Sequence, residues 1–97
     1  TSDAGLASST SEAMASGVPV IVSDNSDNRD WIIDGETGLL FETSNYEMLA
    51  EKLISLLDNP ILRASISKAG KRLIEKNNNW KLEMEKVNNL YNSMLHQ

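Results

Sequence analysis

The chain has 97 residues and a net charge of −5, with 40% hydrophobic and 24% charged residues. That is the composition of one small globular domain, and it excludes disorder of the whole chain and a nucleic-acid-binding footprint. The absence of cysteine excludes disulfide staples and thiolate metal sites and suits a cytoplasmic setting.

No apolar run reaches the ~18 residues of a membrane-spanning helix, although peripheral association with the inner face of a membrane stays compatible with the sequence. Patterned sequence begins at Thr1 without an initiator methionine. This predicts a piece of a longer protein, with a processed mature chain as the alternative.

The spacing predicts a first helix over Thr10 to Ser16. Ser9 stands as its N-cap, and Glu12, three residues on, completes a capping box. Gly17 falls where a helix C-terminus favours positive φ. Val18 to Val22 reads as a strand covered on both faces, as in a parallel α/β sheet. Pro19 is tolerable only near the start of that strand.

Ser23 to Arg29 is a polar loop, and Asp30 to Ile33 a short helical turn with Asn28 or Asp30 as its cap. Asp34-Gly35-Glu36-Thr37-Gly38 is a turn, with Asp34 and Glu36 solvated. Gly38 to Glu42 is a second strand. Ser44-x-x-Glu47 is a second capping box opening a helix from Asn45 to Leu57, with Tyr46, Leu49, Leu53, Leu56 and Leu57 on its apolar face.

Asn59-Pro60 stops that helix and starts the next, with proline at the first helical position. This helix runs to about Lys76, carrying Leu62, Ile66, Ala69 and Leu73 at helical spacing. Asn77 to Asn79 predicts a break. A last helix then presents Trp80, Met84, Val87, Tyr91 and Met94 on one face. Met48, Met84 and Met94 are expected in the core, and Lys81, Glu83, Glu85 and Lys86 on a solvated face. Trp31 is expected to pack over the strand. The element order implies a piece of an α/β sheet with a C-terminal helical tail. Two strands make a poor sheet, so further strands are expected from residues outside this chain.

The chemistry concentrates at Ser8-Ser9-Thr10-Ser11-Glu12. A helix N-terminus offers unpaired N–H groups and about half a positive charge. A loop of small residues at its mouth, here Asp3 to Thr10 with Gly5, lets a phosphate approach the backbone. Ser8, Ser9 and Thr10 can add hydroxyl donors, and Glu12 can accept hydrogen bonds from the vicinal hydroxyls of a sugar. Spacing alone equally describes Ser9 and Glu12 as a plain helix cap, and favours it. The loop lacks the G-x-G-x-x-G and Walker patterns. His96, the lone histidine, sits at the tail. No metal-ligand spacing is visible.

SEAMASGVPVIVSD, followed by DGETGLLFE, closely resembles the C-terminal domain of the group 1 (family 4) glycosyltransferases, which have the GT-B fold. The stretch LAEKLISLLDNPILR is similar to the helices that follow in that family. The resemblance runs from about Ser2 to Tyr91. It implies a partial Rossmann-like domain with a short parallel sheet, so that residues 1–97 are a fragment of a nucleotide-sugar-binding C-terminal domain.

The resemblance further implies the donor-binding segment of an enzyme that moves a sugar from a nucleotide-sugar donor to a glycan or lipid acceptor. The acceptor domain and the basic residues that face the diphosphate lie upstream of this chain. No metal and no cofactor are implied, and most relatives retain anomeric configuration.

By the same resemblance Glu12 stands at the second acid of the family's E-x7-E element, where it binds ribose hydroxyls. Gly5 and the backbone from Leu6 through Ser8 to Ser9 correspond to the loop that cradles the diphosphate and donor sugar, and Ser9 and Thr10 to the helix start that faces phosphate. The first acid departs from the pattern: its place falls on Ala4, with Asp3 beside it. Either Asp3 supplies that carboxylate through an extra loop residue, or the contact to the donor sugar is absent.

Two other readings compete. A nucleotide-sugar epimerase of the same architecture would carry T-E-R-P-E in the polar loop, where this chain has NSDNRDWI. A non-catalytic binding or interaction module rests on Ala4 alone.

Overall fold

The computed structural model describes residues 7–95. Asp3, Ala4, Gly5, Leu6 and His96 lie outside the described residues. The first helix, α1, spans Ser8–Ala15 and starts earlier than the hydroxyl pattern predicts, with Ala7 at its N-cap. The Ser11 N–H donates to the Ala7 carbonyl at 3.0 Å, so Ser9 is already inside the helix.

The expected capping box is therefore absent, and no side chain of the described residues caps this end. The helix register follows Met14, which is 1% exposed and packs into the core. Burying such a side chain is worth about 2 kcal/mol, more than a serine cap contributes. The C-terminus follows expectation. Gly17 takes φ 78°. The Gly17 N–H donates to Met14 and the Val18 N–H to Ala13, the paired bonds of a Schellman end.

Two strands, β1 (Ile21–Ser23) and β2 (Leu39–Phe41), pair in parallel with Ile21 opposite Leu39 and Ser23 opposite Phe41. Both are shorter than the apolar runs suggest. Val18 to Val20 stay outside the ladder, although the Leu39 N–H reaches the Val20 carbonyl at 2.9 Å.

The helical turn after β1 comes earlier than expected, as α2 over Ser26–Arg29. The Asn25 side chain accepts the Asn28 N–H at 2.8 Å and so sets the start; neither Asn28 nor Asp30 is its N-cap. Asn28 instead donates its carboxamide N–H to the Ser23 carbonyl at 2.8 Å. The turn at 34–38 forms as read, with Gly35 at φ 83°.

Helix α3 spans Tyr46–Asp58, and its cap is Asn45, which accepts the Met48 N–H. The Ser44-x-x-Glu47 box is thus displaced by one residue; Ser44 sits at φ 67°. Leu56 is buried, but Tyr46, Leu53 and Leu57 are exposed, so that apolar face is only partly covered by the described residues. Asn59 then accepts the Leu62 N–H, and Pro60 opens α4.

Helix α4 runs unbroken over Pro60–Leu95, 36 residues. The break expected at Asn77 to Asn79 does not occur. Asparagine costs at most about 0.7 kcal/mol per residue against alanine, whereas re-nucleating a helix is far less favourable.

The sheet divides the core into two layers. Leu40, Met14, Ile32 and Ile74 cluster on one face with Val20, Val22, Trp31 and Leu73. Leu39, Leu56 and Ile66 cluster on the other with Ile21 and Leu62. Helix α4 serves both, through Ile66 and Ile74, so both strand faces are covered as the unbroken apolar run implies. Trp31 packs against the first cluster, as expected.

The outer edge of β2 is closed. Leu39 and Phe41 bond to the β1 side, which turns the Leu40 N–H outward. There it donates to Asp34 Oδ1 at 2.9 Å, and Lys52 Nζ stands 3.2 Å from Asp34 Oδ2. Asp34 is therefore an anchor and not a free solvated acid. Beyond Asn77 the apolar residues of α4 are exposed, Trp80 at 64%. Met84 and Met94 consequently lie outside the core formed by the described residues, contrary to expectation, because no other described element packs against that part of α4.

Candidate functional site

The first turn of α1 combines three properties. The N–H groups of Ser8, Ser9 and Thr10 precede the first intrahelical bond, made by Ser11 to Ala7, and so have no acceptor within the helix. No side chain caps them among the described residues, and no acidic residue occupies the first turn. The positive end of the helix dipole is thus uncompensated by this helix. Ser8 and Ser9 are exposed, with Thr10 and Ser11 half-buried.

Glu12 is exposed as well. It follows Ser9 by three residues and Ser8 by four, which places all three on one helix face. Met14 marks the opposite, buried face. The carboxylate makes no hydrogen bond or ion pair among the described residues. The cap that would have explained Ser9 and Glu12 structurally is not formed, and neither side chain has a partner among the described residues. Asp3, Gly5 and Leu6, the remaining predicted contacts, lie outside the described residues.

A buried glycine holds this helix in place. Gly70 of α4 lies against Met14, whose Cε would be 3.4 Å from a β-carbon at that position. The close approach lets α4 support α1 from behind and leaves its N-terminal turn open.

The polar loop after β1 is engaged internally. Arg29 Nε pairs with Asp24 Oδ1 at 2.7 Å, and Asn25 and Asn28 serve the α2 cap and the Ser23 carbonyl. Glu36 is exposed. No group of three or more metal-ligating side chains forms among the described residues. The sequence reading missed the anchoring role of Asp34; its signal was an aspartate directly before a turn glycine, a residue prone to accept backbone N–H bonds.

Residues 2–73 match the family described as glycosyl transferases group 1. The chain is 38% identical over 82 residues to a GDP-mannose-dependent monoacylated alpha-(1-6)-phosphatidylinositol monomannoside mannosyltransferase of Corynebacterium glutamicum, covering 84% of this chain and 21% of that protein. Its fold is similar to that of sucrose-phosphate synthase from Thermosynechococcus elongatus, with a TM-score of 0.76 at 28% identity over 93% of this chain and 23% of that one. It is also similar to the C-terminal domain of a group 1 glycosyl transferase from Francisella tularensis, with a TM-score of 0.67 at 32% identity over 74% of this chain and 37% of that one. The chain spans about a fifth of the length of the curated relatives it matches.

Proposed function

The chain belongs to the group 1 glycosyltransferases, and from that premise we propose that it is the donor-binding segment of an enzyme transferring a sugar from a nucleotide sugar to a glycan or lipid acceptor. The start of α1 receives the donor diphosphate. The N–H groups of Ser8, Ser9 and Thr10 and their hydroxyls donate to its oxygens, and the helix dipole favours the negative charge.

As the glycosidic bond to the donor breaks, charge grows on the leaving diphosphate. Donors already aimed at it stabilise that charge without reorganising. Glu12, one turn along the same face, accepts hydrogen bonds from the ribose hydroxyls. Gly5 and Leu6 lend backbone to the same cradle, and Asp3 is the candidate for the donor-sugar carboxylate. No metal enters this scheme; the N–H groups and dipole at the start of α1 meet the diphosphate charge. The acceptor and the other wall of the cleft belong to the rest of the parent protein.

The observation that carries the reading is the first turn of α1, which no described side chain caps, with Glu12 exposed beside it. Titration with UDP-, GDP- and ADP-sugars, followed by amide NMR shifts, tests it. Shifts should centre on Ser8 to Glu12 for one donor base, with weak affinity and no sugar transfer by this chain alone. Shifts confined to other elements, or none at millimolar donor, would overturn it.

A further inference from the structure

Both tryptophans of the chain, Trp31 and Trp80, line one shallow cleft of about 310 Å³, together with Leu73, Lys76 and Asn77. The residues from α4 stand at positions i, i+3, i+4 and i+7, one stripe of the helix. The stripe exists because α4 runs unbroken through Asn77 to Asn79. A stop at the asparagines would detach Trp80 from Leu73 and Lys76.

The inner wall of the cleft is fixed. Leu73 and Trp31 pack against the buried cluster of Met14, Ile32, Leu40 and Ile74. The Trp31 N–H also donates to the Asn28 carbonyl at 3.1 Å, which ties Trp31 to α2. Trp80 forms the outer wall and is 64% exposed. Lys76 is exposed and Asn77 half-buried. Neither side chain makes a hydrogen bond or ion pair among the described residues. Two indoles thus face a space that also holds an unengaged ammonium and an unengaged carboxamide.

We propose that this cleft binds a pyranose ring of a neutral glycan. A pyranose has apolar C–H faces and a fringe of hydroxyls. Its C–H face lies against an indole, which supplies a broad, rigid apolar surface. The Lys76 ammonium donates to a hydroxyl oxygen, and the Asn77 carboxamide both donates and accepts. Apolar walls with a few placed polar groups are the make-up of a small-ligand site, and the volume lies at the small end of such sites, which suits a ring or two. An acyl chain in the same place would leave the ammonium and carboxamide desolvated without partners, at a net cost. The cleft draws on α4 and Trp31 alone, so the proposal stands independently of the donor site at the start of α1.

Titration of the chain with maltotriose, cellotriose and mannotriose, followed by the indole N–H signals, tests it. At least one trisaccharide should shift both indole signals, with millimolar affinity. Trp80→Ala should lower that affinity at least tenfold, and Asn77→Ala and Lys76→Met several-fold each. Tyr91→Ala, an exposed aromatic of α4 outside the cleft, should change it less than twofold, with circular dichroism confirming the fold of each variant. No shift of either indole with any trisaccharide, unchanged affinity in Trp80→Ala, or tighter binding of cyclohexanol than of every trisaccharide would overturn the proposal.

Discussion

Gly70 of α4 faces the carbonyl oxygen of Thr37 so closely that a β-carbon at Gly70 would stand 3.1 Å from it. The contact joins the long helix to the turn that leads into β2. Met14 of α1 closes the same contact from the other side. One missing side chain thus sets the spacing between α1, the turn ahead of β2 and α4.

Substitution at Gly70 opposes two effects. Alanine gains about 1 kcal/mol of helix propensity but presses on a backbone oxygen that cannot rotate away. Gly70→Ala should therefore change stability by less than about 1 kcal/mol, whereas Gly70→Val should cost about 2 kcal/mol through overpacking. Urea denaturation of both variants checks this; a Gly70→Val chain as stable as the parent would show that α4 can move away without loss.

Met14 is the one fully buried side chain of α1. Met14→Ala should cost about 2–5 kcal/mol, the range for large-to-small changes in a packed core. Loss of amide hydrogen-exchange protection should appear in α1 together with Leu40 and Ile74, its partners in the cluster. Protection lost in α1 alone would mean that the helix is not part of that cooperative unit.

Asp34 and Lys52 should differ in consequence although they form one ion pair. Asp34→Ala removes the acceptor of the Leu40 N–H and should cost about 1–3 kcal/mol. Lys52→Met removes the half-buried charge partner but keeps the apolar stem and the Leu40 bond, and should cost at most about 1 kcal/mol. Thermal melts of the two variants decide; equal losses would place the stabilisation in the ion pair and not in the backbone bond.

Glu12 separates ligand binding from stability. It is exposed and caps no N–H of the described residues, so Glu12→Gln should leave the melting temperature unchanged. Its affinity for a nucleotide-sugar donor should fall by about 1–3 kcal/mol if the carboxylate holds ribose hydroxyls. A lower melting temperature with unaltered affinity would return Glu12 to a purely structural role.

The continuity of α4 across Asn77 to Asn79 is equally open to test. Asn78→Pro should break the helix there, at a local cost of about 3 kcal/mol, and helical circular dichroism should fall. Little change would mean that the segment is already broken in solution.

Local chemistry made much of this protein readable before any coordinates. Gly17 ends α1 because glycine tolerates the left-handed backbone there. Asn59-Pro60 separates α3 from α4 because proline cannot continue a helix yet can start one. The run through β1 announced a strand covered on both faces, and the motif around Glu12 pointed to the family.

What required the tertiary structure were the choices between local alternatives of nearly equal free energy. Ser9 was an acceptable cap, but the Ser11 N–H bonds to the Ala7 carbonyl, so α1 begins earlier and Ser9 lies inside it, with Ser9 and Glu12 unpartnered among the described residues. Asp34 looked solvated until the outward Leu40 N–H was placed beside it. The three asparagines looked like a stop, yet cooperative extension carried the helix through them. Caps and single propensities are worth about 1 kcal/mol each. Packing contacts between residues distant in sequence are worth several, and they select among the local options.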